Sequence, residues 1–228
     1  IVFSEHSRNA DRVYDDFYAE TNFADLMATT YDIEHKDNLT SACSFIEHNR
    51  CETSLILTGQ SKTDTDWIAS KFYGIEQGQV NTLWNVDGSV TPSDGEIVID
   101  AHFALNDEIN MKLGDTIDII VGEGGVQTFT VIGFANSPLE LFYANPDSIL
   151  PQESSYVVAY MDAEVLADIS GNEPLARYTL NIDLEGTPAF DLSDTDENEG
   201  VELQATKDTL TDAMNCLLYT SPSPRDPK

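Results

Sequence analysis

The chain has 228 residues, and its 41 Asp plus Glu against 11 Lys plus Arg leave a net charge of −30 at pH 7. A field of that sign repels polyanions, which excludes nucleic-acid binding by phosphate neutralisation and argues against docking on anionic lipid through a basic patch. Disorder does not follow from the acidity, because 41% hydrophobic and 9% aromatic residues supply enough core for one large domain or two small ones.

Ile1-Val2-Phe3 runs directly into polar sequence, with no initiator Met, basic n-region or small-residue cleavage site. It reads either as the outer end of a transmembrane helix or signal segment, or as an arbitrary boundary. Residues 8–20 place Val13, Phe17, Tyr14 and Tyr18 at helical spacing, which predicts a short amphipathic helix. Ala24–Tyr31 reads as a strand. Asp37-Asn38 caps a short helix over Leu39–Glu47, and Cys51–Gly59 is a second strand closed by Gly59.

From about residue 60 to 152, short β-like runs alternate with Gly, Asp and Pro turns. Trp67–Tyr73, Gly95–Asp100, Thr116–Val121 and Val126–Gly133 are the strands. Gly122-Glu123-Gly124-Gly125 joins the last two as a hairpin. Asp87-Gly88 and Ser93-Asp94-Gly95 signal turns, and Ala101–Asn110 reads as one helical piece. Beyond Pro151 the pattern returns to strand, helix, strand. Ser155–Met161 is apolar and β-branched, Asp162 caps a helix to about Ile169 that Gly171 ends, and Arg177–Leu184 alternates. Leu203–Met214 predicts a final helix. The fold class is therefore α+β, contributed by both ends of the chain and interrupted by a small β-barrel or sandwich.

Few constellations suggest chemistry. Asp194-Thr195-Asp196-Glu197-Asn198-Glu199-Gly200 matches the start of a calcium loop, but its glycine falls one place late and position twelve is Ala205. A solvated acidic loop explains it better. Gly122–Gly125 lacks the Lys-Ser/Thr and the helix of a phosphate cradle. His6, His35, His48 and His102 lie far apart, with no H-x-x-x-H pair and no G-x-S-x-G elbow. Cys43 and Cys51 fit no zinc spacing; they are either a bridged pair or two free thiols. Asn38-Leu39-Thr40 is a glycosylation sequon, meaningful only outside the cytoplasm. Phe142-Tyr143, with Leu139 and Leu141, is either packing or an exposed apolar patch. No catalytic, cofactor-binding or metal-ligating residue is assigned, and no run of about 18 apolar residues marks a membrane span.

Taken in order, Gly95-Glu96-Ile97-Val98-Ile99-Asp100, Leu113-Gly114-Asp115-Thr116-Ile117 and Phe129-Thr130-Val131-Ile132-Gly133-Phe134-Ala135-Asn136-Ser137-Pro138 resemble the extracytoplasmic core domain of FtsX-like, MacB-like ABC transporter permeases. Asp11–Tyr18 with Ala24-Asp25-Leu26, and Tyr156–Met161 with the Asp162 helix, also fit. The likeness spans about residues 10–185, and its specificity lies in order and spacing, since each motif is mainly turn glycines and strand pattern.

The resemblance implies porter-like α+β halves at 1–60 and 153–215, with residues 1–3 as a candidate helix end and an inserted β-rich subdomain at 61–152. It implies a non-enzymatic transport role at the cell membrane on the extracytoplasmic side. A separate ATP-binding cassette subunit and a second permease copy are the expected partners, with no cofactor, no catalytic residue and no nucleic acid. A self-contained secreted acidic binding or adhesion module is the alternative. Residues 216–228 resemble translated sequencing-adapter read-through and are expected to be non-native. That tail holds Arg225 and Lys228 against Asp226, a net +1, so residues 1–215 alone carry −31.

Overall fold

Nine strands form among the described residues, and most coincide with a β-branched or aromatic run. They are β1 (Leu26–Thr30), β2 (Arg50–Lys62), β3 (Trp67–Ile75), β4 (Trp84–Gly88), β5 (Glu96–Asp100), β6 (Thr116–Val121), β7 (Val126–Asn136), β8 (Val157–Asp162) and β9 (Arg177–Asp183). Two helices join them, α1 (Ala101–Ala104) and α2 (Ala163–Ser170). The structure is a computed structural model and describes residues 16–30, 41, 50–63, 66–76, 78–140, 154–171, 176–183, 208 and 212.

Strand pairing closes a ring. β2 pairs β3, β3 pairs β8, β8 pairs β5, β5 pairs β7, β7 pairs β6, and β6 returns to β2. The β3–β8 and β5–β7 pairs are parallel and the other four antiparallel. Six strands therefore form a closed barrel, which removes free edges around the ring. A smaller antiparallel sheet grows from the same wall, because β9 pairs the Arg50–Ile56 end of β2 and β1 pairs β9. β4 lies outside the ring on β7.

Packing follows the pleat where one face is wet. Along β6, Ile117, Ile119 and Val121 are buried while Thr116 is exposed. Val157 to Met161 on β8 are buried without a break, as expected for a strand covered on both faces. α2 supplies part of that cover. The Asp162 carboxylate accepts from the N–H groups of Glu164 and Val165 at 2.9 and 3.1 Å, and Gly171 ends the helix at φ 60°.

Agreement with the sequence is close for β3, β5, β6, β8, α2 and β9, and differs elsewhere for local reasons. Residues 16–20 are helical, within the expected first helix. The strand expected to close at Gly59 instead continues to Lys62, because Gly59 is where β6 crosses and not where the chain turns. α1 stops at Ala104 rather than Asn110. There the Asn106 carboxamide accepts from Glu108 N–H at 2.9 Å, and Asn110 sits at φ 46°, a local bond that competes with helix propagation. Asp87-Gly88 does not reverse the chain. It ends the unforeseen strand β4 just after a bulge between Asn85 and Asp87, with Gly88 at φ 75°. β2 also runs through the expected boundary at residue 60, and β8 forms barrel wall between β3 and β5. The expected helices at Leu39–Glu47 and Leu203–Met214, like residues 1–3 and the 216–228 tail, fall outside the described residues apart from single helical positions at 41, 208 and 212.

One position governs ring closure. A Cβ on Gly59 would stand 2.2 Å from the Ile120 carbonyl oxygen of β6 and 3.1 Å from the Phe72 ring. Gly59→Val is expected to lower stability by about 1–3 kcal/mol. Urea unfolding followed by Trp67 and Trp84 fluorescence measures this, with a change at exposed Val126 as the neutral control. An unchanged midpoint would show that β2 and β6 do not meet so closely.

Candidate functional site

Two polar features stand inside the apolar walls. The first starts at Asp100, the last residue of β5, which is fully buried. Its Oδ1 accepts from the backbone N–H of His102 at 3.0 Å, capping α1, and lies 2.9 Å from His102 Nδ1. Its Oδ2 accepts from the Tyr160 hydroxyl at 3.3 Å. Parallel pairing sets Tyr160 beside Tyr73 of β3, and their rings stack with centroids 5.6 Å apart. The Tyr73 hydroxyl then donates to Glu140 Oε1, which Lys71 Nζ also reaches at 2.5 Å. Lys71 and Tyr73 share a face of β3 because they are two residues apart.

Glu140 belongs to the Pro138–Glu140 turn that leaves β7, so this chain of bonds fastens that turn to the barrel wall. Burial is the first cause pushing the hydroxyls of Tyr73 and Tyr160 well above the ordinary phenol value, with the Glu140 and Asp100 charges adding to it. Burial and the Glu140 charge push Tyr156 up to about 12. All three keep their protons at neutral pH, and Tyr73 and Tyr160 act as donors to the Glu140 and Asp100 carboxylates. The chemistry they perform is structural anchoring.

The second feature is a cavity of about 170 Å³ between the ends of β2, β3 and β9 and the loop 78–83. The loop is held by a carboxylate: Glu52 accepts from the N–H groups of Gly78, Gln79 and Val80 at 2.8, 2.6 and 3.2 Å. The segment before β1 ties it from the other side, through Asn81 N to Asn22 O at 2.9 Å and Thr82 N to Thr21 O at 2.7 Å. Asn22 Nδ2 adds a bond to Gln79 O at 3.1 Å. Asn181 of β9 lines the cavity and is 3% exposed. Its Nδ2 donates to Ser54 Oγ at 3.0 Å, while its Oδ1 has no partner.

Most candidates marked in the sequence lie elsewhere. Gly122–Gly125 is the β6–β7 hairpin, and His102 stands beside Asp100 on the barrel rim. Cys51 is disulfide-bonded, its partner lying outside the described residues. The acidic loop 194–200, Phe142-Tyr143, the Asn38 sequon, Cys43, His6, His35 and His48 also fall outside them. Among the described residues, no group of three or more His, Cys, Asp or Glu is placed to hold a metal. No helix among them is long and apolar enough to cross a membrane. Sequence reasoning passed over Glu140, Asn81 and Asn181, whose significance depends on which partners the fold brings or withholds.

No protein-family model matches the chain, and no curated protein sequence does. Among solved structures, the chain is similar to the extracellular domain of the noncanonic ABC-type transporter YknZ from Gram-positive bacteria. The TM-score is 0.52 at 15% identity, covering 81% of this chain and 84% of that one. What the two share is the fold of a transporter's extracellular domain.

The buried phenols make alkaline pH a test of this polar core. A hydroxyl whose folded value is raised above 10.0 adds stability that is complete below pH 10 and is lost as pH rises above it. Absorbance at 295 nm should therefore show the Tyr73 and Tyr160 phenolates only as far-UV circular dichroism collapses. Full titration of all nine tyrosines near pH 10 in a folded protein would show that the network is open to water.

Proposed function

We propose that the chain is the extracytoplasmic domain of an ABC transporter permease of the MacB-like, FtsX-like kind. The observation that carries this reading is the fold shared with the YknZ extracellular domain over most of both chains. The ordered motifs from Gly95 to Pro138 support it, because they lie on β5, β6, β7 and the turn that Glu140 anchors.

In this role the domain is non-catalytic and sits at the cell membrane on the outer side. Hydrolysis by a separate ATP-binding cassette subunit in the cytoplasm moves the membrane helices, and the domain passes that movement to a substrate or partner outside. A second permease copy completes the assembly. The porter-like halves and the inserted barrel then share β2 and β8, so displacement of one part is carried into the other through continuous backbone hydrogen bonds. A surface with this acid excess suits a solvated outer face.

The test uses the complete gene that contains this chain, expressed in its host with an affinity tag. The product is expected to stay in carbonate-washed membranes and to co-purify with a subunit carrying a Walker A sequence. Lys62, with a half-exposed side chain, should react in intact cells with a membrane-impermeant amine reagent. Release of the full product into the medium, without an ATPase partner, would overturn the reading in favour of a secreted acidic binding module.

A further inference from the structure

We infer that Asp100 and His102 form a proton-operated clasp that tightens the barrel rim as pH falls. This stands apart from the transporter reading and needs nothing from it. Asp100 is fully buried, and no Lys or Arg among the described residues pairs with it. Its partners there are the His102 N–H at 3.0 Å, His102 Nδ1 at 2.9 Å and the Tyr160 hydroxyl at 3.3 Å. A buried carboxylate is costly unless an opposite charge stands beside it. His102 has a ring 39% exposed, so it can take a proton from solvent and supply that charge. The neutral ring offers Asp100 an N–H dipole, whereas the protonated ring makes a charge-assisted bond and leaves the pair without net charge.

The other titratable groups around the pair do not compete for this role. Tyr160 of β8 keeps its proton, because burial first and the Asp100 charge next hold its hydroxyl well above the ordinary value. Tyr73 and Glu140 act on Tyr160 from behind, and Lys71 is taken up by Glu140 at 2.5 Å. Glu96 and Asp162 lie at the far ends of β5 and β8, held by Ser93 and by the first N–H groups of α2. β7, on which α1 packs, has no titratable side chain. Asp107 and Glu108, exposed on the chain leaving α1, add a field that also favours a proton on His102.

Asp100 joins three elements, since it ends β5, caps α1 and holds β8 through Tyr160. Ala101, Phe103 and Ala104 of α1 are buried, so a firmer cap also secures apolar packing. Phe103, with Ile109 and Met111 beyond it, lines an open cleft, and the clasp therefore sets how firmly one wall of that cleft is held. A ring that binds its proton more tightly in the folded chain adds stability that is complete below about pH 6.5. That stability is lost as pH rises through the folded value.

His102→Asn keeps a neutral amide donor near the Nδ1 position and removes the titration. Melting of the full 228-residue chain is followed by circular dichroism at about pH 5.5 and about pH 8. The variant is expected to melt about 4 °C below the parent at the lower pH and within about 1 °C of it at the higher. An equal difference at both pH values, or none at either, overturns the inference. Asp100→Asn removes the carboxylate and should cancel the pH dependence of the His102→Asn effect, so persistence of that dependence in a folded Asp100→Asn chain also overturns it. The unmutated chain gives a reading that does not depend on either variant folding. At about pH 7, where an unfolded histidine is mostly neutral, ring 15N shifts should show His102 mostly protonated, and a mostly neutral ring overturns the clasp.

Discussion

One strand serves two sheets, and the rest of the fold depends on it. β2 gives its Arg50–Ile56 end to β9 and its Gly59–Ser61 end to β6, while β3 pairs along Leu55–Lys62. A strand has only two edges, so β9 and β6 must follow one another along the same edge. The exchange happens at Gly59, whose missing side chain lets the Ile120 carbonyl approach. Without that approach the ring of six strands stays open between β6 and β2, and the β6–β7 hairpin loses its support on the β6 side.

A second constraint is the scarcity of cations. With 11 Lys and Arg for 41 acids, most carboxylates cannot be neutralised by ion pairs, and repulsion among them opposes compaction. Among the described residues Arg50 pairs with Asp183, Lys62 with Asp118 and Lys71 with Glu140. Backbone N–H groups take over much of this work. Glu52 receives three, Asp162 two, and Asp115 accepts from Lys112 N–H at 2.8 Å. Glu96 accepts from both the hydroxyl and the N–H of Ser93, which hold its carboxyl below the ordinary range. An acid excess thus becomes a set of loop and helix clasps instead of only a source of repulsion.

Local chemistry made most elements legible, and distant pairing made the rest invisible. β6, β8 and β9 read directly from alternation or β-branched content, and α2 from an Asp and a Gly nine residues apart. The strand β4 escaped because all five of its residues are exposed, which leaves no apolar contrast, and because Asp87-Gly88 carries turn chemistry. Closure of the barrel rests on β2–β6 and β3–β8, joining segments roughly 60 to 90 residues apart that carry no mutual signal in one sequence. The cavity was equally hidden. Asn81 and Asn181 look like ordinary polar residues in a loop and a strand, and only the contacts that the fold brings to their carboxamides single them out.

The anchored turn after β7 connects these constraints to the proposed role. β7 is the wall strand that also carries β4, and its outgoing turn is fixed by Glu140 to Lys71 and Tyr73 on β3, across the ring from it. The β3 strand is in turn paired to β2, the strand shared with the β1–β9 sheet. A push delivered at that sheet would therefore reach β7 through hydrogen bonds and one partly buried ion pair. Buried contacts of this kind are expensive to break once desolvated. Wiring of this kind suits the proposed role, in which movement is passed through the domain.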